Sequence, residues 1–279
     1  MPRPELSVVI PCKNEDHHLE DCVLSVVDWA DEVVIADSGS TDRTLEIAAR
    51  LCERFPTRCR LVQREFINFG SFKSWASQQC RHDWVFVLDA DERMSKSLSH
   101  EIDTVLSSSS AADAYLVRFR HYFLGHRIRF GKWNGRGVIR LFRQSRCHYD
   151  SREVHEKVIV PSGRVRKLHS RLDHFTCTSL DRWFQKKYAY ARYGANELAK
   201  RGRRARAYDL FLRPLIQFIA GYIFRLGFLD GIPGLIVAFD GAFSTYLKYV
   251  KLWEIQQNQK SSPIQQNPQI LPDSKKQAA

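Results

Sequence analysis

VVIADSGSTDRTLEIA, residues 33–48, decides how the first third of the chain is read. Four apolar residues, Val33 to Ala36, run into Asp37. Ser38, Gly39, Ser40 and Thr41 then make a turn in which Gly39 permits an unusual backbone conformation. Thr41 or Asp42 is placed to cap the next helix. WVFVLDADE, residues 84–92, repeats the device: an apolar run that stops at Asp89. Working outward, Leu6–Ile10, Glu32–Ala36, Leu61–Gln63 and Trp84–Leu88 read as strands. Leu19–Trp29, Asp42–Arg54 and Ser71–Arg81 read as helices. This alternation predicts a largely parallel sheet covered on both faces. Ligands of such sheets sit at the carboxyl ends of the strands, where Asp37 and Asp89 fall. Pro11 is expected to break the first strand, with Asn14 and Glu15 opening the next helix.

The 279 residues suffice for one large α/β domain with an appendage or for two modest domains, and 44% apolar content excludes wholesale disorder. A net charge of +12 implies an anionic partner: nucleic acid, a phosphate-bearing substrate or an anionic membrane face. The seven cysteines are scattered without a CxxC pair, which suggests reduced thiols in a cytoplasmic protein. No secretory leader is expected, since the first residues lead straight into a strand. Leu215–Phe224 and Gly231–Phe239, the longest uncharged apolar runs, are each too short to span a bilayer.

Asp89 and Asp91 are two apart, so in continued strand geometry both carboxylates point to one side. Such a pair binds a hard divalent ion, with water and phosphate oxygens completing the shell. The plainer reading is a solvated acidic turn. The apolar strand before it and the second strand-end aspartate upstream favour the metal. No GxxxxGK[ST] loop occurs, and no GxGxxG comes after the first strand.

Taken in order, LSVVIPCKNE, VVIADSGSTDRT and WVFVLDADE resemble the family-2 glycosyltransferases. That resemblance implies the GT-A fold, an α/β, Rossmann-like domain with a mixed, mostly parallel sheet. RLFR (140–143), VHEKV (154–158), LDHFTCTSLDRWFQKKYAYARYGA (172–195) and GFLDGIPGLIVAF with YLKYVKLWE (227–254) are similar to lipopolysaccharide core enzymes of the β-1,4-glucosyltransferase type. The implied layout is a transferase domain over 1–178, with a donor half (1–110) and an acceptor half (111–178). A basic and apolar helical region that associates with membranes would cover 179–255, and a disordered tail 256–279.

The resemblance implies a nucleotide-diphosphate sugar donor, UDP-linked by preference, and a divalent cofactor, Mg2+ or Mn2+. Pro11, Glu15 and Asp37 would line the nucleoside pocket, Asp37 facing the base. Asp89 would contact ribose or phosphates, Lys73 the diphosphate, and Asp91 the metal. His174 would be a further metal ligand; its plainer reading is a packed, hydrogen-bonded histidine. Inverting transfer needs a base for the acceptor hydroxyl. Glu156 fits by position, with His155 beside it to orient the acceptor; Asp150 and Glu153 are reserves. The residues alone leave Glu156 equally a surface partner of Arg152 or Lys157. His17 and His18 read as surface residues. Ser179 stands where processive relatives carry the glutamine of Gln-x-x-Arg-Trp, which argues for one sugar per encounter.

Past about Ala114, AYLVRFRHYFLGHRIRF alternates apolar and basic residues, the pattern of antiparallel strands with one wet face. From Ser179 the chain is basic and aromatic, then apolar from Leu210 to Trp253. Nucleic-acid binding and a membrane-surface helix both fit the first part. The apolar segment favours the membrane and an in-plane or re-entrant anchor; the alternative is helices packed together as core. The expectation is a non-processive transferase on the cytoplasmic face of a membrane, with a lipid-linked saccharide acceptor and no nucleic acid partner. Its rivals are a transferase for a polyprenyl-phosphate or exopolysaccharide acceptor, and a non-catalytic binding protein on a degenerate scaffold.

Overall fold

A computed structural model describes residues 2–135, 137–150 and 157–260. The chain divides into two compact units after Thr178. The first unit runs β1 (Leu6–Cys12), α1 (Leu19–Leu24), β2 (Glu32–Asp37), α2 (Thr44–Arg54), β3 (Cys59–Gln63), α3 (Phe69–Gln78), β4 (Trp84–Val87), β5 (Glu92–Arg93) and α4 (Lys96–Leu106). It continues through β6 (Ala114–Phe123), β7 (His126–Ile128), β8 (Val138–Arg143), β9 (His148–Tyr149), β10 (Val158–Ile159) and β11 (Val165–Cys177).

The main sheet has the order β3-β2-β1-β4-β8-β6-β11-β5, with β7 beside β6 and a separate β9–β10 pair. β3, β2, β1 and β4 are mutually parallel. β8 lies antiparallel to both β4 and β6, whereas β11 is parallel to β6. Strand order reverses between β1 and β4, which opens a crevice at their carboxyl ends.

Every residue of β2 and β4 is buried, because helices cover both faces. Ile10, Val33, Ile35, Phe86 and Leu88 pack with Leu19 and Val23 of α1, Ile47 and Leu51 of α2, and Leu98 and Ile102 of α4. The alternate residues Val9, Val34, Val85 and Val87 pack against Phe72 and Ala76 of α3. Fully buried side chains of this kind each contribute about 1.5–3 kcal/mol. At the amino-terminal edge of the sheet, Glu32 is 3% exposed. It accepts from the Ser7 hydroxyl (2.6 Å), the Arg60 guanidinium (2.8 Å) and the Arg81 amide (2.8 Å).

Pro11 does not break the first strand: β1 runs to Cys12, with Pro11 opposite Ala36. β4 ends at Val87 opposite Val9, so no β4 residue is left for the missing N–H of Pro11 to pair with.

The second unit comprises α5 (Leu180–Lys200), α6 (Ala207–Ile219) and α7 (Gly231–Lys260), with a π-helical turn at Ala220–Phe224 and a 3-10 turn at Gly227–Asp230. Asp240 on α7 accepts from the Trp183 indole (2.9 Å) and pairs with Lys187 (2.7 Å), both on α5. Phe218 of α6 lies 4.8 Å, ring to ring, from Phe239 of α7. A Cβ on Gly234 would stand 2.0 Å from the Gly227 carbonyl oxygen, so this backbone approach admits only glycine. α7 carries the helix to Lys260, past the point where the composition turns polar; the rest of the expected disordered tail lies outside the described residues. Among the described residues, one segment, Gly227–Gln259, is long and apolar enough to cross a membrane by length and composition.

Candidate active site

The carboxyl ends of β1, β2 and β4 carry the residues that the sequence singled out. Asp37 closes β2 and is fully buried. Its Oδ1 accepts from the amides of Gly39 (2.9 Å) and Ser40 (3.0 Å), and the Ser40 hydroxyl donates to its Oδ2. Gly39 sits at φ +91°, which a side chain would resist. Asp37 therefore organises its own turn. Asn14, at φ 56°, ties that turn to the β1 loop: its Oδ1 accepts from the Thr41 amide (2.7 Å) and its own amide donates to Ser40 (2.9 Å). The Glu15 amide donates to the Thr44 hydroxyl (2.8 Å), which sets Glu15 beside the start of α2. Pro11 lies one residue from the end of β1.

Beyond β4 the chain turns. The Glu92 amide donates to the Asp89 carbonyl (2.9 Å) and the Asp89 amide to the Glu92 carboxylate (3.0 Å). The strand geometry that would set the two aspartate carboxylates on one side therefore ends at Val87. Asp89 pairs with Lys73 of α3 (3.0 Å) and Arg140 of β8 (2.6 Å). Asp91 lies 3.4 Å from Nε2 of His174 on β11. Antiparallel pairing of β5 with β11 sets Glu92 directly opposite His174 and creates this meeting.

Two residues given no role from the sequence complete the cluster. Glu92 is fully buried, and Arg140 bridges its carboxylate (2.5 Å) to that of Asp89. Burial opposes the charge of Asp89, but Arg140 and then Lys73 outweigh it and hold the carboxyl well below the usual range. Burial pushes Glu92 up to about 7 against the pull of Arg140. Burial alone would lower His174, yet Asp91 beside it and Glu92 behind raise it above the ordinary histidine value. His121 of β6, ring centroid 5.0 Å from that of His174, is driven down to about 4 by burial and by its neighbour's charge.

Ligand atoms of Asp91, Glu92 and His174 lie within 4.8 Å of one another. Two donors sharing one ion at bonds of about 2.1 Å stand up to about 4.2 Å apart, so a small contraction closes the set. His174 Nδ1 is buried without a hydrogen-bond partner among the described residues. Two carboxylates and an imidazole suit a divalent ion of the Mn2+ or Mg2+ kind, so the donor set fits such a metal.

The expected base Glu156, with His155 and the reserve Glu153, lies outside the described residues. The other reserve, Asp150, closes the β9–β10 pair: its carboxylate accepts from the Lys157 amide (3.0 Å). His18 meets Thr178 (3.2 Å), and His17 is exposed.

Residues 7–158, more than half of the chain, match the family described as Glycosyl transferase family 2. The lipopolysaccharide core biosynthesis glycosyltransferase LpsC of Rhizobium meliloti (strain 1021) is 33% identical over 258 residues, covering 91% of this chain and 94% of LpsC. The uncharacterized glycosyltransferase RC0292 of Rickettsia conorii (strain ATCC VR-613 / Malish 7) is 27% identical over 263 residues, 90% of each. Among solved structures, the mannosyltransferase PcManGT from Pyrobaculum calidifontis aligns with a TM-score of 0.49 at 16% identity, covering 93% of this chain and 90% of its own. By the extent of the family match and the near full-length relative, the chain belongs to glycosyl transferase family 2 and is a glycosyltransferase of the GT-A fold.

Proposed function

We propose that the chain transfers one sugar per encounter, with inversion, from a nucleotide-diphosphate sugar to a lipid-linked saccharide of the lipopolysaccharide core type. The observation that carries this reading is the gathering of Asp91, Glu92 and His174 at the sheet edge that also bears Asp37 and Asp89. LpsC, by name a core biosynthesis enzyme, supports the acceptor class.

In this reading the β1 and β2 loops receive the nucleoside. Pro11 and Glu15 line it, and Asp37 keeps the pocket's shape through the Gly39 and Ser40 amides. Asp91, Glu92 and His174 hold the divalent ion, Mg2+ or Mn2+, which when bound neutralises charge on the departing diphosphate. Lys73 adds a cation next to Asp89. Arg140 keeps Asp89 and Glu92 from repelling one another. Glu156 takes the proton of the acceptor hydroxyl as its oxygen attacks the anomeric carbon.

The second unit is proposed to rest on the anionic cytoplasmic face of a membrane. Phe211, Phe224 and Ile232 are 73%, 80% and 74% exposed. Arg201, Arg203, Arg204 and Arg206 are exposed on the same unit. Apolar side chains flanked by arginines match an interface of acyl chains below anionic headgroups.

The test is nucleotide diphosphate release from UDP-, GDP-, ADP- and dTDP-sugars, each with Mg2+, Mn2+ or EDTA, with and without total lipid-linked glycan. Release from one donor that needs metal, glycan and Asp91 supports the reading. Failure of Asp91→Asn to lower it would overturn the assigned site, and failure to bind any nucleotide would mark a degenerate scaffold.

A further inference from the structure

The strands beyond the donor half carry an arginine cluster that the donor chemistry leaves unused. Arg171 of β11 stands directly across from Arg118 of β6, and Asp173 across from Arg120. On the other side of β6, Arg127 of β7 stands across from Tyr122. Alternation puts Arg118, Arg120, Arg171 and Asp173 on one face of these strands. Leu172 and Phe119, of the opposite parity, belong to the core under α4, and Phe119 touches the His174 ring at 5.4 Å. The arginines thus occupy the other face, which they share with Ala114 and with Tyr149 and Val158 of the β9–β10 pair.

Position along the strand matters as much. β6 runs parallel to β4, and Val117 is the last β6 residue paired with β8. Arg118 and Arg120 therefore stand on the stretch of β6 that projects past β8, toward the carboxyl edge where Asp89 follows β4.

Like charges directly opposite on neighbouring strands are destabilising. Here Asp173 pairs with Arg120 at 3.1 Å. Among the described residues, Arg118, Arg127 and Arg171 have no acidic partner. Nε of Arg118 and Nε of Arg120 are buried without a hydrogen-bond acceptor. Burial, and then Arg118, Arg127 and Arg120 in turn, lower the basicity of Arg171, a sign that the four guanidinium groups feel one another. An oxyanion among them would relieve the repulsion and supply the missing acceptors, and guanidinium forks match phosphate and carboxylate oxygens in pairs.

We infer that Arg118, Arg120, Arg127 and Arg171 form a binding site for an oxyanion, phosphate or carboxylate, carried by the acceptor saccharide. This rests on the transferase reading only for the word acceptor; the anion site stands on the arginines alone. On β6 and β11 it stands beyond β4 and β8 from the β1 and β2 loops assigned to the nucleoside, and its place at the catalytic edge suits a group on the molecule that receives the sugar.

The test is calorimetric titration of full-length protein with inorganic phosphate, in parallel with UDP. The variants are Arg118→Gln/Arg171→Gln, the exposed Arg127→Gln, and Arg54→Gln as a charge-matched control on α2. The expected result is phosphate binding weakened about tenfold or more by both cluster variants, unchanged by the control, with UDP affinity unaltered in all. Arg127→Gln, at an exposed position, keeps the test decisive if the double variant melts early. Equal phosphate affinity in wild type and Arg127→Gln, with the double variant also unchanged or unfolded, would overturn the site. Parallel loss of UDP affinity would overturn its assignment to the acceptor and give it to the donor. A third arm removes phosphates from the lipid-linked glycan with phosphatase and follows nucleotide release. A higher KM for treated glycan in wild type, absent in Arg127→Gln, supports a phosphate on the acceptor. Loss of binding to phosphatidylglycerol vesicles in Arg127→Gln, with no change in glycan KM, would instead make the cluster a membrane contact.

Discussion

Arg140→Met removes the cation between Asp89 and Glu92 while keeping an unbranched apolar stem beside the Phe119 ring, which the guanidinium overlies at 5.5 Å. Two charge-assisted hydrogen bonds are lost, at 2.6 Å and 2.5 Å. Asp89 keeps Lys73 at 3.0 Å and is 31% exposed, so its loss is modest. Glu92 is fully buried and is left without its cation. Breaking a buried pair from one side costs about 3–5 kcal/mol. Glu92 already sits up at about 7 with Arg140 present, so it takes up a proton once Arg140 is gone. That escape places the expected loss at the lower end, about 3 kcal/mol. Adding Glu92→Gln removes the stranded carboxyl, so the double variant is expected to be more stable than the sum of the singles by at least about 1.5 kcal/mol. Native-state hydrogen exchange of the β1 and β4 amides in the full chain reads the stability of the first unit by itself. A loss of about 3 kcal/mol appears there as exchange faster by about a hundredfold. A loss below about 1 kcal/mol, or strict additivity, would refute the claim that Arg140 holds the two carboxylates together.

At the opposite edge of the sheet, burial opposes the charge of Glu32, but the Arg81 amide, Ser7 and Arg60 outweigh it and lower its pKa. A carboxyl lowered on folding adds stability above its unfolded value near 4.5, and that stability fades as pH falls through the lower folded value. Glu32→Gln is therefore expected to cost about 2 kcal/mol at pH 7 and to shrink that deficit below pH 4, read by urea unfolding across pH; a deficit independent of pH would contradict it. In the second unit, Phe224→Asp with Ile232→Asp is expected to reduce binding to phosphatidylglycerol vesicles at least about tenfold in cosedimentation, since each apolar side chain is worth about 1.5 kcal/mol or more on burial. Unchanged partitioning would remove those side chains from the interface.

The strand ends are legible because β2 and β4 are buried on both faces and so read as continuous apolar runs stopped by Asp37 and Asp89. Pro11 misleads because its effect depends on where β4 ends, a fact of tertiary pairing. The spacing of Asp89 and Asp91 misleads in the same way: two residues apart means one side only while the strand lasts, and here a turn intervenes. Glu92 and Arg140 meet across 48 residues of chain, and nothing local marks either one. Glu92 does adjoin LDAD, so a buried third carboxylate after such a pair is the one available signal. The alternation that predicts antiparallel strands falls on β6, β7 and β8, which do pair antiparallel, whereas β11, outside that stretch, runs parallel to β6. The arginines across that pair are visible only as a basic texture until register sets Arg118 against Arg171.

Whether Asp91, Glu92 and His174 hold a divalent ion at the donor edge is read by electron paramagnetic resonance of Mn2+ titrated into the full-length protein with and without UDP. One Mn2+ is expected to bind per chain, tightened by UDP and weakened about tenfold or more in both Asp91→Asn and His174→Ala, with Lys96→Gln as an exposed control. Equal Mn2+ affinity in wild type and all three variants would contradict it.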